Sequence, residues 1–264
     1  MIVLILLMLC FSELSDAKTA SAIIAPLVQV PSGNYIPFIS GAVKSKINVK
    51  RPIEPVHINK FQMSTTAITN RDFISFVRQN PQWSKSRIKR LFADEQYLAQ
   101  WETDFSLKNL SEMNSPVVNV SWFAAEAYCE SKGLSLPTTD QWEYALKESG
   151  RSEVENNQEI LSWYSQPNLS QLPSVGTGKS NSFGLYNMFG LVWEWTLDFN
   201  SFMVSEESRD TGGKDNPLFC GGASEGTTDY SNYAAFMRYS FRSSLRASYV
   251  TNNLGFRCAS GENK

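Results

Sequence analysis

Sulfur and imidazole, the ligands that hold redox metals, are sparse in this 264-residue chain: four cysteines, Cys10, Cys129, Cys220 and Cys258, and one histidine, His57. Thiolates select Cu(I), and a mononuclear iron site needs several imidazole or carboxylate ligands brought together. A lone imidazole packs against a neighbouring strand more often than it binds metal, and His57 has no nucleophile signature beside it, which sets a hydrolytic triad aside. Arg238, Arg242 and Arg246 recur every four residues. That spacing lines one face for an anionic partner.

The compartment decides which thiols are available. Residues 2–9 are an unbroken apolar run, followed by the small-residue patterns Ser15-Asp16-Ala17 and Ala20-Ser21-Ala22. This predicts a secretory signal peptide over residues 1–22, too short for a spanning helix of roughly 20 apolar residues. Residues 23–264 then form one domain in the periplasm or outside the cell, with no later stretch able to span a membrane. In that oxidising setting two of Cys129, Cys220 and Cys258 are expected in a disulfide, with one thiol left over. A net charge of -2, without a basic stripe, gives no long-range attraction to nucleic acid.

The elements that must position these groups mix helix and strand patterns. Residues 27–35 read as a short strand entering a turn at Pro31, Ser32 and Gly33. A helix is predicted over 70–77 behind a Thr69 or Asn70 cap, and a surface helix over 84–93. Ser121 caps a further helix that Gly133 ends, and Thr138 or Thr139 caps another through Ala145. From about Gly150 onward helical periodicity fades, which predicts irregular loops between short strands.

Four ordered segments carry a resemblance: Pro116-Val117-Val118-Asn119-Val120-Ser121-Trp122, Leu136-Pro137-Thr138-Thr139-Asp140-Gln141-Trp142-Glu143-Tyr144-Ala145, the stretch from Asn181 to Trp195 that reads Asn-Ser-Phe-Gly-Leu-Tyr-Asn-Met-Phe-Gly-Leu-Val-Trp-Glu-Trp, and Leu254-Gly255-Phe256-Arg257-Cys258. Together the chain resembles the formylglycine-generating, or sulfatase-modifying factor, domain from about Val28 to Ala259. The resemblance implies an α+β fold of the C-type-lectin-like kind, low in regular structure. It implies a structural calcium ion held by Asn187, Gly190, Val192 and Glu194, and hard oxygens on a Gly-containing loop suit that ion. It also implies a disulfide between Cys129 and Cys258, while the family's other bridge maps onto Leu146 and Tyr239 and is lost, and it implies structural carboxylate partners for Arg238, Arg242 and Arg246.

The same resemblance locates the family's two reactive cysteines, which bind copper and activate oxygen, near Asp229 and Ala234. No cysteine lies between Gly221 and Arg257. Copper binding and the parent oxidation therefore lack a carrier, and a single histidine rules against the iron chemistry of the ergothioneine-type branch. The expectation is a protein without a catalytic residue. Cys220 enters a Gly-rich turn toward the former active site, as a copper-transfer thiol, an intermolecular disulfide partner or a buried small side chain.

Local texture such as Asn80-Pro81-Gln82-Trp83 and the run from Tyr233 to Leu245 resembles the NirV-type subgroup. That implies a periplasmic accessory factor for a respiratory copper enzyme such as nitrite reductase, with that enzyme or a copper-delivery protein as partner. Two alternatives follow from the same residues. One is a lectin-like module presenting Ser224, Asp229 and Arg246 to a protein or glycan; the other is an oxidoreductase of the family with a divergent active site.

Overall fold

The computed structural model describes residues 25–38, 55–147, 153–200 and 233–260. Residues 1–22, expected to be a signal peptide, Cys10 among them, and Cys220, Ser224 and Asp229 lie outside the described residues.

Short strands come in pairs. Strand β1 (Leu27–Val30) runs antiparallel to β4 (Phe61–Ser64), and β2 (Gly33–Tyr35) to β3 (Val56–Ile58). The expected strand at 27–35 is thus two strands, because Pro31 withholds an amide from the ladder and the chain turns there. Strands β5 (Trp101–Thr103) and β6 (Ser106–Leu107) form a third antiparallel pair.

The expected N-terminal helices form where cap and apolar spacing agree. Helix α1 (Asn70–Gln79) starts behind Thr69, whose side chain accepts from the Asp72 amide while Asp72 returns the bond to Thr69. Helix α2 (Trp122–Glu130) is capped by Ser121, and Gly133 takes the left-handed φ of +70° just beyond it. Helix α3 (Thr139–Lys147) starts with a reciprocal pair in which Thr138 Oγ1 accepts from Gln141 N and Gln141 Oε1 accepts from Thr138 N.

Two expectations fail. Residues 84–93 form turns rather than a surface helix, with Leu91 75% exposed. The segment has no apolar stripe to bury, and Asp104 holds the Ser86 amide and hydroxyl in a non-helical arrangement. Beyond Gly150 two helices appear instead of loops alone, α4 (Glu153–Tyr164) and α5 (Tyr233–Ser244). Helix α5 buries Ala234, Ala235, Arg238, Tyr239 and Arg242, so three of these five inward residues are charged or phenolic and read as polar in sequence.

The C-terminal segment is the seam that joins these parts. Strand β8 (Leu254–Gly255) lies parallel to β7 (Trp193–Glu194). Ser64 and Ile68 donate backbone bonds to the Cys258 and Phe256 carbonyls, at 2.8 and 2.9 Å, and Ala259 exchanges a pair with Ser135. Cys258 is joined to Cys129 of α2 by a disulfide. Phe256 fills the core between Phe73 and Tyr128. At Gly255 a Cβ would sit 2.8 Å from the Val117 carbonyl, which explains glycine at this crossing.

Candidate functional site

Strands β7 and β8 bring Glu194 and Arg257 together in the interior. Both side chains are fully excluded from solvent. Arg257 Nε donates to Glu194 Oε2 at 2.8 Å and Nη2 to Oε1 at 2.9 Å, a two-point pairing of fork and carboxylate. Trp142 Nε1 on α3 adds a third donor to Oε2 at 2.7 Å. The remaining guanidinium donors reach the carbonyls of Ser64, Tyr186 and Asn187. One guanidinium therefore ties β4, β7, β8 and the loop that precedes β7.

That loop carries the residues expected to hold calcium. Asn187 has a φ of +51° and Gly190 of +89°, so the backbone turns sharply on either side of Met188 and Phe189. Asn187 Oδ1 accepts from the Gly176 amide at 2.9 Å, leaving a second lone pair. Glu194 accepts three bonds where a carboxylate offers about four sites, and the spare one is on Oε1. Among the described residues no donor reaches the Gly190 or Val192 carbonyl. A side-chain amide, two backbone carbonyls and one carboxylate oxygen thus retain acceptor capacity, and this donor set fits a hard divalent cation.

Trp193, beside Glu194, sits between Tyr164 of α4, stacked at 4.7 Å, and Phe241 of α5, at 4.2 Å between ring centres. Helix α5 is anchored again through Glu143 of α3. Arg238 grips that carboxylate from Nε and Nη2, and Arg242 Nη1 donates to it at 2.6 Å. Arg242 also lies over the Trp142 ring, 4.7 Å from its centre. Tyr35 donates to Asp140 one turn earlier on α3; burial above all, then Tyr239 and Asp140, push its hydroxyl far above the usual phenol range. These are structural contacts, not a reactive group waiting in a cleft.

Burial alone would raise the Glu143 carboxyl, but Arg238 and Arg242 outweigh it and hold it below the ordinary value of 4.5. A carboxyl depressed in the folded state stabilises fully above its unfolded pKa, and that contribution is lost as pH falls through the folded value. Stability should therefore decline as acidification proceeds below pH 4.5. Urea unfolding of Glu143→Gln across the same range should show a lower plateau and a shallower acid slope. Equal slopes in the two proteins would remove Glu143 from the acid transition.

The other residues of interest are dispersed. His57 Nδ1 faces Asn34 Oδ1 across β2 and β3 at 2.7 Å, on the surface. Ala234, at one of the positions implied for a reactive cysteine, is fully buried in the first turn of α5. Leu146 and Tyr239, where the second bridge would lie, are buried in separate hydrophobic clusters. Arg246 is exposed and has no carboxylate partner among the described residues. Sequence reasoning overlooked the buried pairings of Arg257, Trp142 and Glu143, although an arginine inside Gly255-Phe256-Arg257-Cys258 already demanded an interior carboxylate.

Fold and site together define an α+β scaffold of short strands and loops, stapled by one long-range disulfide and by buried arginine–carboxylate pairs. The chain belongs to the sulfatase-modifying factor enzyme 1-like domain family, whose model matches residues 14–261. It is 26% identical to the inactive C-alpha-formylglycine-generating enzyme 2 of Bos taurus, covering 94% of this chain and 91% of that one. Identity to the formylglycine-generating enzyme of Streptomyces coelicolor is also 26%, over 88% of each chain. Among solved structures, PvdO from Pseudomonas aeruginosa matches with a TM-score of 0.49 and 14% identity, covering 88% of this chain and 93% of that one. Within the family this is a non-catalytic or divergent member, with no cysteine between residues 221 and 257.

Proposed function

We propose that the protein is an exported, non-catalytic member of its family that supports the maturation or operation of a respiratory copper enzyme, such as a nitrite reductase, in the periplasm. One observation carries the non-catalytic part. The scaffold pairs around Glu194 and Glu143 are complete, whereas position 234 is a fully buried alanine and residues 221–257 hold no thiol. Relatives of equal identity include one named inactive and one named simply a formylglycine-generating enzyme, so overall similarity does not decide between them. Residue chemistry does: without thiolates there is no ligand to favour Cu(I) at that position. The periplasmic accessory role rests on the apolar N-terminal run and on the NirV-type texture of the sequence.

Calcium belongs to this reading as a structural ion held by the Asn187 amide oxygen, the Gly190 and Val192 carbonyls and Glu194. It would stiffen the loop leading into β7. The only carboxylate is already neutralised by Arg257, and sites with few charged ligands fall at the weak end of calcium affinities, on the order of 10⁻⁴–10⁻³ M.

The test combines metal analysis with genetics. Purified protein should bind calcium reversibly when it is supplied at millimolar concentration, should carry no stoichiometric copper or iron, and should leave a sulfatase-type peptide unoxidised. A deletion strain should assemble its copper reductase with reduced copper loading. Aldehyde formation on the peptide would overturn the non-catalytic reading, and full copper loading in the deletion strain would overturn the accessory role.

A further inference from the structure

The loop before the calcium-type segment reads Gly176-Thr177-Gly178-Lys179-Ser180, and its backbone is unusual. Gly176 has a φ of +74° and Gly178 of +87°, whereas Thr177 and Lys179 stay on the negative side. Alternating φ sign is the pattern by which successive amides are turned toward one side to form a concave anion cradle. Among the described residues, the amides of Thr177, Gly178, Lys179 and Ser180 have no acceptor. Lys179 has no carboxylate partner there either, so its ammonium remains available. Thr177 spends its hydroxyl proton on the Ser174 carbonyl, which leaves Ser180 as the hydroxyl donor of the loop.

These residues line a groove of about 550 Å³ whose inner wall is apolar, from Leu146, Leu185, Met188 and Phe189. Glu159 also lines it and is engaged in an interaction of its own. Asn181 and Asn187 border the groove but spend their amides on the protein. Asn181 bonds Ala145, Phe183 and Leu185, and Asn187 bonds Gly176 and Thr177. Among the described residues the carbonyls of Gly176, Gly178, Lys179 and Ser180 lack donors as well, so what marks the loop is its alternating φ, which turns successive amides to one side, with the Lys179 charge and an apolar wall beside them.

We propose that residues 176–180 form a binding site for a phosphate-type anion, and that its ligand is a phosphate monoester whose organic part lies against Phe189 and Leu185. No bond is made or broken in this role. The inference goes beyond the accessory function proposed above and does not rest on it: the missing cysteines do not enter, and Asn187, the calcium-type residue that borders the groove, supports the loop by bonding Gly176 and Thr177.

Amide resonances of the full mature protein, held at constant calcium, should be followed while inorganic phosphate and then phenyl phosphate are added. Saturable shifts centred on residues 177–180 are expected, with phenyl phosphate binding more tightly. Lys179→Met should weaken binding at least tenfold without changing Tm, since the side chain is exposed. Gly178→Ala tests the backbone: a Cβ meets nothing there, but the φ of +87° is strained for alanine, so binding should fall while the fold is kept. Vesicles of phosphatidylcholine with phosphatidic acid provide the membrane arm. Retention on them that depends on Lys179, without phenyl phosphate binding, would assign the same cradle to a lipid headgroup. Unchanged affinity in Lys179→Met, or shifts centred away from the loop, would overturn the proposal.

Discussion

Arg257→Met should lower the melting temperature by about 6–20 °C. The pair it breaks is fully buried, and removing one partner of a buried ion pair costs about 3–5 kcal/mol because the other charge is left uncompensated. For a domain of this size each kcal/mol moves Tm by roughly 2–4 °C. Glu194 would keep the Trp142 indole as its sole described donor, and the Ser64 and Tyr186 carbonyls would lose theirs. Methionine fills most of the vacated volume, so the loss would report on charge and hydrogen bonding more than on a cavity. Adding Glu194→Gln to Arg257→Met should recover part of the loss, because the orphaned charge is gone. Calorimetry on the two variants checks this. A drop of only a degree or two in the single variant would mean that water reaches the pair.

This buried node marks a boundary between what sequence reasoning reaches and what it does not. Helices α1, α2 and α3 are legible because Thr69, Ser121 and Thr138 place a side-chain acceptor one turn before amides that need one. The signal is local, written within four residues. Helix α5 is not legible by the same means, since the carboxylate that pairs with Arg238 and Arg242 is Glu143, almost a hundred residues away, which no local pattern names. The partner that turns a charge inward is a long-range fact. The same holds for strands of two or three residues such as β7 and β8, too short for alternation to register, whose pairing joins residues sixty positions apart.

The resemblance to a family supplies what local patterns do not. Three cysteines beyond the predicted signal allow three pairings, and spacing alone does not choose among them. The family pattern chooses Cys129 and Cys258, and the structure joins them. It also implies Asn187, Gly190, Val192 and Glu194 as calcium ligands; of these four, Arg257 ties together two, through the Asn187 carbonyl and the Glu194 carboxylate. The partner surface suggested around Ser224 and Asp229 lies outside the described residues, which leaves Arg246 as its one located member. By contrast, the surface helix expected over residues 84–93 fails because its basis is composition rather than periodicity. Four cations in seven residues favour exposure, but exposure does not require a helix.

Cys129→Ala with Cys258→Ala should cost about 5 kcal/mol, at or above the loss expected from Arg257→Met. The bridge spans 129 residues, and in the chain-entropy model a crosslink of that length restricts the unfolded ensemble by about this amount. At a urea dependence of about 3 kcal/mol per molar, the midpoint should fall by about 1.7 M. The wild-type protein unfolded in strong reductant should approach the same midpoint, since the effect resides mainly in the unfolded chain. A midpoint unmoved by reduction would mean that the seam holds itself through its backbone bonds to Ser64, Ile68 and Ser135. Combination with Arg257→Met tests how far the two devices share that seam. They sit on adjacent residues, so their losses should not simply add. The simple sum of about 8–10 kcal/mol is thus an upper limit, and a combined loss between either single loss and that limit takes most of the 5–15 kcal/mol that stabilises an ordinary domain. The triple variant is therefore expected to be largely unfolded at 37 °C, with the disulfide variant and Arg257→Met each still folded alone.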